Sequence, residues 1–510
     1  MPPLRLLLRN YNKIVWLVFG LTSITLFCAG LALRLDHDEA QFIASGHMIA
    51  SQNRHPILDF VYYHQPLYSY VYALIFQLSS DYLLLLARAF CGISVLLSLR
   101  LIVSHLLHNV KNSSFALWDQ LIFPIGLLLS LGLTSGILRG FTAWNHAFPS
   151  FLLLASHLIL LKNHRHYIPQ KIVLSGFLFA LAVALRASLA PMVIPLFGAL
   201  FFYSLPFSKR LRLASHFVIG CLIGSIPVFS FMLTDFDAFY FNIIQFHTDF
   251  DEQYLFDQGR ASELPERLGL AWKYLMGTNN LYMILSIVLI SVLLIARRKK
   301  SSTGDTAFRY WFSFSVFAMS IVSALTKNVT FHQYYYLPLM LVAILGTELY
   351  PLLTRDARRI AAFGALGFGI ALLIDGSSSY KRMVRALESD DSFFALQSAE
   401  EGSFIYEEAG SGAILTLSPI FPLEGGNSIY PEFVTSPFAY RTRDYIPEKY
   451  RKQYHVIGEP DLDTFLKDKT PCAVYTGWEK KHDKGIEDWA CRNGFECTET
   501  PMGKKLWLKP

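Results

Sequence analysis

Uncharged apolar runs of about 17 to 21 residues recur along this chain and limit what it can fold into more than any other feature. A helix of ~20 apolar residues crosses ~30 Å of hydrocarbon, where every backbone polar group must be paired within the protein. The first run, 14–33, follows Arg5, Arg9 and Lys13, and no small-residue cleavage site comes after it. It reads as a retained membrane helix, not a signal peptide. Further runs occupy 82–107, 121–138, 141–161, 172–185, 187–207, 213–233, 281–296, 310–326, 334–350 and 360–374. With 53% of 510 residues apolar and only 16% charged, against about a quarter charged in soluble domains, an ordinary soluble enzyme is excluded.

Basic residues cluster between alternate runs: Lys162, Arg165 and Lys171; Lys209, Arg210 and Arg212; Arg297, Arg298, Lys299 and Lys300; Arg355, Arg358 and Arg359. The positive-inside rule puts these loops in the cytoplasm. The net charge of +6 is therefore spread as topology, and no nucleic-acid partner is expected. Segment 66–78 is short for a span and rich in tyrosine (Tyr68, Tyr70, Tyr72, after Tyr62 and Tyr63), so it reads as an interfacial helix. Counting it as a crossing would put every later basic loop outside. Eleven crossings remain, with the N-terminus inside.

The expected architecture is a polytopic α-helical membrane protein with a small C-terminal extracytoplasmic α/β domain. The transmembrane domain spans 1–375, with large outer loops at 34–81 and 234–280, and the α/β domain spans 376–510. In that domain 413–417, 473–475 and 506–508 read as strands, and 381–396, 461–467 and 484–493 as helices. The inner loops are short and carry little but charge, so chemistry is expected outside.

Directly after the first run, Arg34-Leu35-Asp36-His37-Asp38-Glu39 sets three carboxylates and an imidazole at the outer surface. The group can supply a general base, or it is a solvated helix exit. Arg88 lies inside an apolar run, at a cost of at least ~2.5 kcal/mol if it sits at mid-helix. It either snorkels to the interface or binds an anion. Arg186, where the chain reverses outside, is an interfacial anchor or an anion ligand, and Arg139, ahead of Trp144-Asn145-His146, is a further pocket candidate. Lys327 and His332 precede Tyr334-Tyr335-Tyr336, an aromatic belt or a pocket wall.

The outer loop bears Asp235, Asp237, His247, Asp249, Asp251 and Glu252, without the His or Cys spacing of a zinc site. It reads as a solvated acidic loop, and neither metal nor organic cofactor is expected. Cys491 and Cys497 either form one disulfide or stay unpaired, with Cys472 left over; Cys28, Cys91 and Cys221 lie in apolar runs. A Gly-rich phosphate loop and a nucleophile elbow are both missing, so soluble nucleotide chemistry has no support.

The pair Asp38-Glu39, followed about 25 residues later by His64-Gln65-Pro66-Leu67, resembles the GT-C glycosyltransferases, in particular the protein O-mannosyltransferases and bacterial lipid A aminoarabinose transferases. The resemblance covers about residues 10–375 and is sharpest over 34–90. It implies that Asp38 is the general base with Glu39 beside it. His64 and Gln65 stand in the family's Lys-Pro-Pro or His-Pro-Pro element, where Gln65 replaces the lysine of many bacterial members. Arg88 is implied at the phosphate of the lipid-linked donor and Arg186, closing the segment 176–186, as a second ligand; His332 and Lys327 are implied in the donor pocket. The expected activity is inverting transfer of a sugar from a polyprenyl phosphate carrier to a glycan, lipid or protein acceptor, on the outer face of a bacterial cytoplasmic membrane. The rival is a transporter or lipid flippase, which would need polar groups at the midplane and broken helices in matched positions. The apolar runs keep their polar groups mostly outside.

Overall fold

The apolar runs form helices: α1 (Pro2–Leu31), α2 (His37–Gln52), α3 (Leu67–Phe76), α4 (Leu83–Lys111), α5 (Phe123–Gly132), α6 (Ala147–Asn163), α7 (Pro169–Leu185) and α8 (Phe207–Thr234) come first, with α2 the more polar one and Pro227 inside α8. The computed structural model describes residues 2–111, 118–132, 134–259, 263–297, 304–326, 331–375, 384 and 393–510. Next are α9 (Leu264–Leu275), α10 (Thr278–Arg297), α11 (Gly304–Leu325), α12 (Tyr336–Leu349) and α13 (Arg355–Asp375). Among the described residues six helices are long and apolar enough to cross a membrane: Tyr11–Leu31, Leu83–Asn109, Phe207–Thr234, Ala307–Leu325, His332–Leu352 and Arg355–Asp375.

The other expected crossings are helical but shorter or bent. Asp119–Gly132, Ala147–Asn163, Pro169–Leu185 and Ala187–Phe202 are short apolar helices, and Leu264–Leu275 meets Asn280–Ala296 at 93°. Helix length alone therefore does not yield eleven spans. The physical reason is visible at 187–202, where a 3-10 turn carries Pro191, whose missing N–H interrupts the helical ladder.

Helix α3 is too short to cross, at ~1.5 Å per residue. Its tyrosines do not form a headgroup belt: Tyr68 and Tyr72 are fully buried, and the Tyr68 hydroxyl donates to the Trp144 carbonyl at 2.8 Å. Ser45 on α2 and Ser69 on α3 share a hydrogen bond of 2.8 Å, so the first outer loop is a packed core element.

Small residues set the closest helix pair. A Cβ on Gly176 of α7 would lie 2.1 Å from the Phe217 carbonyl of α8, and one on Gly220 would lie 2.1 Å from the Val173 carbonyl. Only a hydrogen fits at such a crossing, the packing that membrane helices use in place of a hydrophobic driving force. Charges among the helices are paired: Glu348 on α12 accepts from Arg309 Nε at 2.8 Å and bonds His105 Nε2 at 2.6 Å, while the Tyr350 hydroxyl donates to Asp119 at 2.7 Å.

The C-terminal domain opens with α14 (Phe394–Ala409) and holds β1 (Ala413–Thr416), α15 (Ile420–Glu424), β2 (Ser428–Ile429), β3 (Ala473–Thr476), α16 (Asp483–Arg492), β4 (Glu496–Glu499) and β5 (Lys505–Leu508). The sheet order is β2-β1-β3-β5-β4, with β1 parallel to β2 and β3, and β5 antiparallel to β3 and β4. The three expected strands are present. Of the expected helices, 484–493 corresponds to α16 and 461–467 shrinks to Leu462–Phe465. Most of 381–396 lies outside the described residues, and α14 begins only at Phe394. All six cysteines are free.

This domain docks on the membrane helices through a carboxylate. Glu424 accepts from the Leu83 N–H at 2.9 Å and the Leu84 N–H at 2.8 Å, capping the start of α4. Burial pushes the Glu424 carboxyl up to about 7, against the opposing pull of those two N–H groups. An apolar cluster of Val61, Tyr63, Phe241 and Phe246 with Ala439, Ile446 and Val456 completes the contact.

Candidate active site

Asp36 ends the extended backbone after α1 and caps α2: its carboxylate accepts from the Asp38 N–H at 3.1 Å, while its own N–H donates to Glu39 at 2.9 Å. This reciprocal capping fixes where the helix starts and therefore where Asp38 stands. Asp38 sits in the first turn, where the helix dipole offers partial positive charge.

Glu39 points the other way, into protein. Arg88 Nε donates to Glu39 Oε1 at 2.9 Å and Nη2 to Oε2 at 2.7 Å, in a pair with no solvent exposure. The remaining donors of Arg88 reach the carbonyls of Leu33 at 2.5 Å and Arg34 at 3.0 Å. Glu39 also accepts from the Ala143 N–H at 2.7 Å. The resemblance assigns Arg88 to a lipid phosphate. Instead, the guanidinium is satisfied internally and lines neither of the large cavities beside Asp38. It fastens the end of α1, the start of α2, α4 and the 143 segment together, and so holds Asp38 from behind.

A cavity of about 380 Å³ lies beside Asp38, lined also by His64, Gln65, Trp144, Asn145, His146 and Arg186. A second, of about 480 Å³, shares the wall made by Asp38, Tyr63, His64, His247, Gln333 and Tyr334, and extends to His332, Asp251, Glu252 and Arg441. A small cavity of about 30 Å³ behind Arg186 reaches Met192 and Leu337 among the membrane helices. Asp38 thus stands where an inner chamber, walled by Arg186 and Pro191, meets an outer one lined by Phe438 and Arg441 of the C-terminal domain.

Arg186 follows the last residue of α7, where the backbone turns extended before the Pro191-containing turn. Its Nη1 donates to Asn145 Oδ1 at 2.7 Å and lies 3.1 Å from His146 Nε2, and its guanidinium lies over the Tyr334 ring at 5.6 Å. Held by an amide and an imidazole and not by a carboxylate, it is the cation among the described residues lining the inner chamber. His64 packs on Phe42 at 4.7 Å between ring centroids. Gln65 Oε1, Trp144 Nε1 and His332 Nε2 are buried atoms without a hydrogen-bond partner, polar capacity that a ligand can satisfy. His247 bonds the Tyr63 carbonyl at 2.5 Å, and burial, with Asp251 nearby, pushes the Tyr63 phenol far up, so it remains a neutral group.

Of the residues read from the sequence, Asp38, His64, Gln65, Arg186 and His332 come together around these chambers. Glu39 and Arg88 stand behind the wall. Arg139 is exposed and lines none of these cavities, and Lys327 lies outside the described residues. Among the described residues no three His, Cys, Asp or Glu side chains gather closely enough to hold a metal ion; Asp235 caps a short helix through the Ala238 N–H at 2.8 Å, and Asp251 lies 3.7 Å from Arg441. Arg441 is the residue the sequence did not suggest. It comes from the distant C-terminal domain, and no local motif marks it.

No family model matches the sequence, and no curated protein does either. Two solved structures match the fold over nearly the whole length. The crystal structure of ArnT from Cupriavidus metallidurans bound to undecaprenyl phosphate aligns with a TM-score of 0.64 and 10% identity, covering 97% of this chain and 98% of that one. The same protein in the apo state aligns with a TM-score of 0.59 and 11% identity, over the same shares. The chain has the fold of ArnT: a polytopic helical membrane domain with a small C-terminal sheet domain.

Proposed function

We propose that this protein is an integral-membrane glycosyltransferase that moves a sugar from a polyprenyl phosphate carrier to an acceptor hydroxyl, with inversion. The observation that carries the reading is the meeting of the two chambers at Asp38, with Arg186 on the inner side. The undecaprenyl phosphate held by the structurally similar ArnT supports the carrier class. Arg186 lines the cavity of about 380 Å³ beside Asp38, where its guanidinium can meet a lipid phosphate.

In this scheme the acceptor enters through the outer chamber and its hydroxyl proton passes to the Asp38 carboxylate. The acceptor oxygen bonds the anomeric carbon as the bond from that carbon to the phosphate oxygen breaks, and the electron pair leaves with the lipid phosphate. Attack opposite the leaving group inverts the anomeric centre. Arg186 meets the negative charge that grows on the phosphate, in a site partly shielded from water where such charge is stabilised most. Gln65, Trp144 and His332 offer their unpaired atoms to the sugar or its phosphate. Glu39 and Arg88 are positioning residues. No metal or organic cofactor is assigned, since a monophosphate leaving group can be met by one guanidinium and neutral donors. The chemistry is assigned to the extracytoplasmic face of a bacterial cytoplasmic membrane, with the N-terminus inside.

The test uses membranes supplied with a radiolabelled polyprenyl phosphate sugar. Asp38→Asn should lower transfer ~10²- to 10⁴-fold, the usual value of a general base, while donor binding is retained. Full transfer by a folded Asp38→Asn protein would remove the proposed base.

A further inference from the structure

A third large cavity, of about 380 Å³, opens between the C-terminal domain and the start of α2. Its walls include Ser418, just past β1, and the segment from Trp478 to His482, just past β3, with Arg441, Leu35 and Ala40 opposite. β1 and β3 are adjacent and parallel, so this is the crevice beyond the carboxyl ends of parallel strands, where open α/β sheets bind ligands. Its charge is positive: Arg441, Lys480 and Lys481 stand against the lining carboxylate Glu479 and against Asp251, 3.7 Å from Arg441, with His482 beside them.

The loop is built rigidly. Gly477 has φ +115°, a conformation that side chains resist, and the buried Asp483 accepts from the N–H groups of Gly477 at 2.7 Å and Glu479 at 3.0 Å. Trp478 is stacked on Phe421 at 5.0 Å and donates to the Tyr475 hydroxyl at 3.1 Å. The lysines are thus carried on a fixed turn, and Lys481 reaches Gln258 of the outer loop. Arg441 is nine-tenths buried over Tyr254 and Phe438, its guanidinium 3.7 Å from Asp251 and its Nε without a hydrogen-bond partner among the described residues, and it lines the outer chamber of the active site as well.

We infer that this crevice binds an anionic group, phosphate or carboxylate, carried by the acceptor, and so holds the acceptor's hydroxyl in the chamber at Asp38. The inference rests on the glycosyltransferase reading and supplies its acceptor class. Arg441 favours an acceptor over a bilayer headgroup, because it joins this crevice to the chamber where the acceptor must react.

The test measures binding to the full chain in phosphatidylcholine nanodiscs by saturation-transfer NMR, with glucose 6-phosphate, glucuronate and glucose as probes. The expected result is at least a tenfold preference for an anionic sugar over glucose. Lys480→Gln with Lys481→Gln should bring the preference close to one. Asp38→Asn should keep it, as should the pair Lys467→Gln and Lys484→Gln, which removes the same charge from exposed sites elsewhere on the domain. The inference is overturned if the wild type shows no preference, if the Lys480/Lys481 pair keeps it, or if both lysine pairs lose it equally. Loss in Arg186→Met alone would move the anion to the inner chamber and overturn it too. Loss on adding phosphatidylglycerol to the nanodiscs would make the ligand a membrane headgroup. Because binding is read without turnover, a transfer-competent Asp38→Asn protein would sink the mechanism and leave this site standing.

Discussion

Replacing Arg88 with methionine separates the two roles open to it. In the structure the guanidinium makes two bonds to Glu39 and one each to the Leu33 and Arg34 carbonyls, all away from solvent. Arg88→Met leaves the Glu39 carboxylate buried with only the Asp36 and Ala143 N–H groups. Stranding one member of a buried ion pair costs about 3 to 5 kcal/mol, or roughly two to nearly four orders of magnitude in the folded ratio. Removing both members in Glu39→Leu with Arg88→Met takes partners from the Asp36 and Ala143 N–H groups and from the Leu33 and Arg34 carbonyls, at about 1 to 3 kcal/mol each where buried, but leaves no buried charge. The double variant should therefore be less unstable than the two single losses summed, with a coupling of about 1 to 3 kcal/mol. The assay is thermal unfolding of the detergent-solubilised chain, paired with donor binding on the fraction that remains folded. An Arg88→Met protein as stable as wild type but unable to bind donor would refute the positioning role and restore the arginine as a phosphate ligand.

Arg186→Met should remain folded, because it strands no carboxylate at Asn145 or His146, yet weaken donor binding by about 1.5 to 3 kcal/mol, ten- to over a hundredfold, read by displacement of a labelled polyprenyl phosphate. Glu424 makes domain docking pH dependent. Its carboxyl is raised from 4.5 to about 7, so the docked state holds the proton more tightly; stability is fully present below about 4.5 and is lost as pH rises through about 7, by at most roughly 3 kcal/mol. Hydrogen exchange at Leu83 and Leu84, corrected for intrinsic rate, should show more protection at pH 5 than at pH 8, and Glu424→Gln should erase the difference. Gly220→Leu should force α7 and α8 apart and cost at least ~1 to 3 kcal/mol, seen as a lower unfolding temperature; an unchanged value would contradict the close crossing at Val173.

Much of the architecture was legible because hydrocarbon imposes a one-dimensional rule. Among the described residues every apolar run is mostly helix, and the three strands at 413–416, 473–476 and 505–508 appear where their short apolar patterns lie. The crossing count was less legible, since hydropathy registers composition but not the interruption at Pro191 or the bend before Asn280. The tyrosines of α3 were misjudged for a similar reason: an amphipathic ring suits a headgroup layer or a core equally well, and only packing against Trp144 and Cys91 distinguishes them.

The sequence by itself determined a helical membrane protein and pointed to Asp38 as the proposed place of its chemistry, because charge is scarce in such a chain and each ionisable group in an apolar setting needs a reason. It could not say which arginine meets the ligand. Arg88 and Arg186 look alike as isolated cations near helix ends; the fold commits the first to Glu39, one residue beyond Asp38, and leaves the second facing the cavity. Arg441 and the lysines past β3 were beyond sequence reading altogether. Their nearness to α2 spans some 400 residues of chain and exists only once the C-terminal domain is docked, through contacts such as Glu424 on α4. Periodicity and composition follow from local solvent, whereas a site follows from which surfaces meet, and that is a property of the folded whole.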